Sequence, residues 1–113
     1  MHPLVRTGLA GAGVGAATLA YALWEAHQFR LRDVQVRALR PGSRPVRVLQ
    51  LTDLHLTPKQ EDKMAWVRSL ADLQPDFVIL TGDFLAHMDS VPYLTTTLEP
   101  LRGTPGVFVF GSN

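Results

Sequence analysis

The hydrophobic and polar positions divide the chain into three stretches of different character. From Gly8 to Trp24 no charged residue occurs, and Gly, Ala, Leu and Val fill most positions. As a helix, that run would extend roughly 25 Å, the short end of what crosses a bilayer. It predicts a signal anchor or transmembrane helix over residues 1–28. A cleaved signal peptide, with Arg6 before the run and Ala20-Tyr21-Ala22 at its end, is one alternative, and a buried helix of a soluble protein is another. In residues 29–45 the pattern changes. Asp33-Val34-Gln35-Val36-Arg37 alternates polar and apolar, which predicts an edge strand, and Pro41-Gly42-Ser43-Arg44-Pro45 predicts a turn.

From Val46 the pattern becomes rhythmic. Val46 to Leu51 is a β-branched and aliphatic strand ending in Thr52-Asp53. Thr57 to Leu73 then predicts a helix, with Thr57 as its cap, Pro58 at the first helical position and Gln60 completing a capping box. Met64, Val67, Leu70 and Ala71 form its apolar stripe, and Trp66 and Phe77 are expected to pack. Pro75-Asp76 closes the helix. Phe77 to Leu80 is continuously apolar, which predicts a strand buried on both faces in a parallel sheet. After Thr81-Gly82-Asp83 comes a second helix, from about Pro92 to Leu101, which Gly103 can close. A third strand, Val107 to Phe110, leads into Gly111-Ser112-Asn113. Strand–helix–strand units of this kind define an α/β fold with mostly parallel strands.

Composition narrows the chemistry. A chain of 113 residues has room for one small domain. Its formal charge of +1 gives no polybasic surface and no nucleic-acid-binding signature. The absence of cysteine excludes disulfides, thiolate metal sites and cysteine nucleophiles. A metal would therefore have to be held by oxygen and imidazole ligands.

Each predicted strand ends in an oxygen-bearing residue: Asp53, Asp83 and Asn113, about 30 residues apart, the length of one strand–helix–strand step. Parallel strands bring their carboxyl ends to one edge, where ligands of open α/β sheets bind. His55 follows Asp53 by two residues, so on an extended segment the two side chains would point the same way. Mixed carboxylate and imidazole ligands suit manganese, zinc or iron. A carboxylate such as Asp83 can bridge two ions, and Gly82 lets backbone pass close by. Taken singly, Asp53 and Asp83 could be caps or turn residues, His55 an exposed side chain and Asn113 a mere terminal residue. Their joint placement favours a metal site.

Asp53-Leu54-His55, Gly82-Asp83 and Gly111-Ser112-Asn113, in this order and each at a strand end, resemble the first three blocks of the calcineurin-like metallophosphoesterases. The resemblance covers Val46 to Asn113 and implies part of an αββα sandwich over residues 46–113. It also implies a hydrolase that cuts phosphomonoesters or phosphodiesters with two divalent metal ions, manganese, iron or zinc. By that resemblance Asp53 and His55 hold the first ion, Asp83 bridges both, Asn113 holds the second, and a bridging hydroxide attacks phosphorus in line. His87 is a possible substrate-side residue. Ser112 departs from the family pattern as an insertion ahead of Asn113. The family's later histidine blocks are not in this sequence, so the 113-residue chain is expected to be an incomplete, inactive fragment retaining part of the metal site. The amino-terminal run resembles that of membrane-tethered bacterial members, which implies a single-pass location at the cell membrane. Arg30, Arg32, Arg37 and Arg40 after the run would keep the domain in the cytoplasm, whereas anchored members of the family often face outward. The side is left open.

Overall fold

A computed structural model describes residues 3–112, and Asn113 lies outside the described residues. The chain forms two compact units, residues 1–32 and 33–113. The first contains one helix, α1, Pro3–Ala26. Its Thr7 and Thr18 hydroxyls donate back to the carbonyls of Pro3 and Val14, at 3.0 and 2.9 Å.

Helix α1 corrects the expected membrane location. Among the described residues no helix is long and apolar enough to cross a membrane. With 24 residues α1 does not lack length. It lacks apolarity, because Gly8, Gly11, Gly13, Gly15 and the two threonines sit where a spanning helix carries larger aliphatic side chains. Freedom from charge is a weaker property than hydrophobicity.

In the second unit the expected edge strand is missing: Asp33–Arg37 has no regular structure and no strand partner. The turn is present, with Gly42 at φ +85° and the Ser43 amide donating to the Arg40 carbonyl at 3.1 Å. Three strands follow: β1, Val48–Leu51, β2, Phe77–Leu80, and β3, Gly106–Phe108. They form one parallel sheet in the order β1-β2-β3, with Leu49 opposite Val78 and Leu51 opposite Leu80. The connections carry helices α2, Glu61–Ser69, and α3, Val91–Leu98, each continued by a short 3-10 turn. An amino-terminal helix followed by this parallel sheet and its helices meets the expectation of an α/β fold.

Helix α2 begins three residues later than the capping pattern suggests, with Glu61 rather than Pro58 first. Thr57–Gln60 forms a turn in which the Gln60 side chain accepts from the Thr57 amide at 3.0 Å, one arm of the expected box. At the far end of the second helix Pro100, which lacks an amide proton, falls in the 3-10 turn, and Gly103 does not take the left-handed conformation of a cap.

The core lies between the sheet and its helices. Leu49, Leu51 and Val78 of the sheet meet Val67, Leu70 and Leu101, with Leu54 from the loop after β1. Burying a side chain of this kind contributes about 1.5–3 kcal/mol. Strand β1 alternates, Leu49 and Leu51 inward and Val48 and Gln50 outward. The expectation of strands buried on both faces is not met: in β2 only Val78 is fully buried, and β3 is exposed throughout. Among the described residues the helices cover a single face. At the amino-terminal edge of the sheet, the Asp76 carboxylate accepts from the Arg47 amide at 2.8 Å and from the Arg44 guanidinium at 3.1 Å. Those bonds, the backbone one foremost, hold its carboxyl below the usual range, against the opposing effect of desolvation.

Candidate metal centre

The site is built at the opposite, carboxyl edge of the sheet. Beyond the strands, pairing continues through the loops. The Thr81 amide donates to Leu51, Asp53 to Gly82, His55 to Asp83 and Leu56 to Phe84, at 2.8–3.1 Å. Ala86 then donates back to Leu56 at 3.0 Å, so the two loops run as a parallel extension of β1 and β2, with a bridge between Leu56 and Leu85. The third strand joins the same way: Val109 donates to Leu80 at 2.9 Å and Asp83 to Phe110 at 3.2 Å. Leu54 and Leu56, buried at 7% and 0% exposure, root the first loop on either side of His55.

Within this frame the backbone is strained. Among the described residues four that are not glycine have positive φ, and three of them are Asp53 (+50°), His55 (+43°) and Asp83 (+51°). Such conformations cost about 1–3 kcal/mol each and gather at functional sites. Asp53 and His55 therefore do not lie on an extended segment, and alternation along a strand is not what brings them together. The left-handed turns do so, held by the carbonyls of Gly82 and Asp83 across the loop pair.

The side chains converge. One ligand atom from each of Asp53, His55 and Asp83 lies within 4.8 Å of the other two. Asp53 and His55 are exposed and Asp83 is half-buried, so an ion can approach from solvent. The Thr52 hydroxyl donates to Asp53 Oδ2 at 2.8 Å. Lys63, on α2, donates its ammonium to the Leu54 carbonyl at 2.9 Å and so ties the loop between Asp53 and His55 to the helix. Burial pushes the Lys63 ammonium below the usual lysine range, with neighbouring Asp62 opposing.

Two glycines close the arrangement. A Cβ on Gly82, at φ +105°, would fall 2.6 Å from the Gly111 Cα. A Cβ on Gly111, at φ +83°, would fall 2.6 Å from Asp83 Oδ1. Gly82 is thus required by backbone of the third strand end, and Gly111 by the amide and the carboxylate of Asp83 together. Ser112 completes the contact: its amide lies 3.0 Å from Asp83 Oδ1, and its hydroxyl 3.2 Å from Oδ1 and 3.4 Å from Oδ2. From sequence Ser112 looks like an insertion, and nothing but its place beside Gly111 marks it.

Two expected residues remain, His87 and Asn113. His87 is exposed and opens the 3-10 turn Met88–Ser90, where its carbonyl accepts from the Ser90 amide at 3.0 Å. It is not among the grouped ligands. Asn113 lies outside the described residues.

The donor set fits a divalent cation. Two carboxylates and an imidazole are the mixed oxygen and nitrogen ligands of borderline ions, and the Gly82–Gly111 contact leaves the carboxylate of Asp83 cradled by backbone. A ligand cluster at the carboxyl edge of a parallel α/β sheet defines a class of metal-binding α/β proteins. Within that class the model of the calcineurin-like phosphoesterase family matches residues 46–113, more than half of the chain, and the protein belongs to this family of hydrolases acting on ester bonds. No curated protein and no solved structure matches the chain.

Proposed function

We propose that residues 46–113 carry the amino-terminal part of a two-metal phosphoester hydrolase site, acting on phosphomonoesters or phosphodiesters. The observation that carries this reading is the convergence of Asp53, His55 and Asp83 within 4.8 Å at the carboxyl edge of the family-matched sheet. Asp53 and His55 would hold one divalent ion, Asp83 would contribute to both, and Asn113 would serve the second. When bound, the ions supply Lewis acidity toward the phosphoryl oxygens and lower the pKa of water. The chain's own part is positional. The zippered loops fix the carboxylates before any ion arrives, so little ordering entropy is lost on binding. The Thr52 hydroxyl restrains Asp53 by a bond to Oδ2. The exposed face above Asp53 and His55 admits the phosphoryl group.

Isothermal titration of the chain with manganese, zinc and ferrous iron tests this reading, together with hydrolysis of nitrophenyl phosphates. The wild type binds at least one of the ions, and Asp83→Ala abolishes both that binding and any metal-dependent turnover, because its loss removes a ligand from each ion. A wild-type chain that binds none of the three, or an Asp83→Ala variant with full occupancy, refutes it.

A further inference from the structure

We infer that Ser112 is a positioning residue for the metal site, acting through Asp83; the inference rests on the metal-binding reading above. A carboxylate on a single methylene turns readily about its last torsion, whose energy profile is broad and roughly two-fold. In this chain three features limit that turning. The Ser112 amide is 3.0 Å from Oδ1, and the Ser112 hydroxyl, 3.2 Å from Oδ1 and 3.4 Å from Oδ2, gives its one proton to the same carboxylate. The Gly111 backbone stands against Oδ1 so closely that even a methyl group would overlap it. Both donors come from the third strand end, whereas Asp83 follows β2. The Asp83 amide in turn donates to Phe110 at 3.2 Å, so the two segments are locked reciprocally.

A cluster whose ligand atoms lie within 4.8 Å of one another gains from a shared carboxylate that is already oriented. Hydrogen-bond partners of this kind raise metal affinity by about 10–100-fold. Replacing Ser112 by alanine removes the hydroxyl and leaves the amide, so the lower end of that range applies.

The test uses the full chain and manganese alone. Manganese affinity is measured by titration calorimetry, with electron paramagnetic resonance of free manganese as an independent count, for wild type, Ser112→Ala and Ser112→Thr. Thermal unfolding of each protein is recorded without metal. The expected result is about a tenfold weaker dissociation constant for Ser112→Ala, recovery with Ser112→Thr, and metal-free midpoints equal to wild type. Because Ser112 is exposed, a structural role alone would move the midpoints and not be rescued in affinity by threonine. Unchanged affinity in Ser112→Ala overturns the inference while leaving the metal reading intact. Tighter binding in Ser112→Ala also overturns it, since the hydroxyl would then be a competitor for the carboxylate. Failure of wild type to bind manganese overturns this inference, and failure to bind zinc and ferrous iron as well, in the titration of the proposed function, refutes the metal reading with it.

Discussion

Gly111→Ala should be among the most damaging single changes in the second unit, and Gly42→Ala supplies its control. The two glycines have almost the same φ, +83° and +85°. Their surroundings differ: an added Cβ at Gly42 meets nothing within 4 Å, whereas at Gly111 it lies 2.5 Å from the Asp83 amide nitrogen and 2.6 Å from Oδ1. The left-handed conformation costs alanine about 1–2 kcal/mol at either site. Only Gly111→Ala adds overlap with backbone, which typically costs a further 1–3 kcal/mol or so in a packed environment. The expected losses are therefore about 1–2 kcal/mol for Gly42→Ala and about 2–5 kcal/mol for Gly111→Ala. Against an ordinary domain stability of about 5–15 kcal/mol, the larger loss is a substantial fraction.

Urea unfolding, followed by the fluorescence of Trp66 packed against the core, measures both. With a slope of about 1–3 kcal/mol per molar urea, a difference of about 1–3 kcal/mol separates the two midpoints by about 1 M. Gly111→Ala should also weaken manganese binding, since the methyl displaces the Asp83 carboxylate, and Gly42→Ala should not. Equal midpoints for the two variants would refute the reasoning, because strain in φ would then account for everything and the close approach to Asp83 would restrict nothing.

Asp76→Asn tests the amino-terminal edge of the sheet. The bonds from Arg47 and Arg44 lower the Asp76 pKa in the folded state, so their contribution is present above the unfolded value and is lost as pH falls through the folded one. The stability gap between wild type and Asp76→Asn should be full at pH 5–7 and shrink below about pH 4; a gap that stays constant down to pH 2 contradicts this. Leu56→Ala empties a position at 0% exposure immediately after His55, and should cost about 2–5 kcal/mol in urea unfolding. It should also lower manganese affinity; loss of stability with unaltered affinity would show that Leu56 roots the core but not the ligand loop.

The positions of the three strands were legible because apolar runs of strand length, bounded by proline, glycine and aspartate, leave few other readings. Register with the ligands was legible for the same reason: Asp53 and Asp83 follow runs that cannot slide without exposing Leu49, Leu51 or Val78. Helix ends were not. Thr57–Gln60 satisfies the capping pattern while forming a turn of its own, because the Gln60 side chain bonds the Thr57 amide whether or not the helix has begun. The expected edge strand at Asp33–Arg37 failed since alternation says nothing about whether a partner strand is at hand. The amino-terminal helix was legible as a helix, but absence of charge does not amount to the hydrophobicity of a span, to which glycine contributes little. Geometry at the site was hidden altogether. No residue type announces a left-handed aspartate or histidine, and the role of Ser112 depends on a contact between segments 29 residues apart.

Strain and pairing at the carboxyl edge are two aspects of one arrangement. Three residues with side chains suited to a metal adopt backbone conformations that cost about 1–3 kcal/mol each, a sum comparable with the stability of a small domain. Such conformations persist only where surrounding bonds over-determine them. Here the over-determination is visible: the Asp53 and His55 amides are held by carbonyls of Gly82 and Asp83, the Asp83 amide by Phe110, and the Leu54 carbonyl by Lys63. Relaxing any one turn would break a loop-to-loop hydrogen bond and draw Leu54 or Leu56 out of its buried site. The strain is thus supported by the same zipper that aligns the strand ends and brings two carboxylates and an imidazole together. A divalent cation that bound this group and not the unfolded chain would add its binding free energy to the folded state. Metal binding should therefore stabilise the fold as well as complete the site.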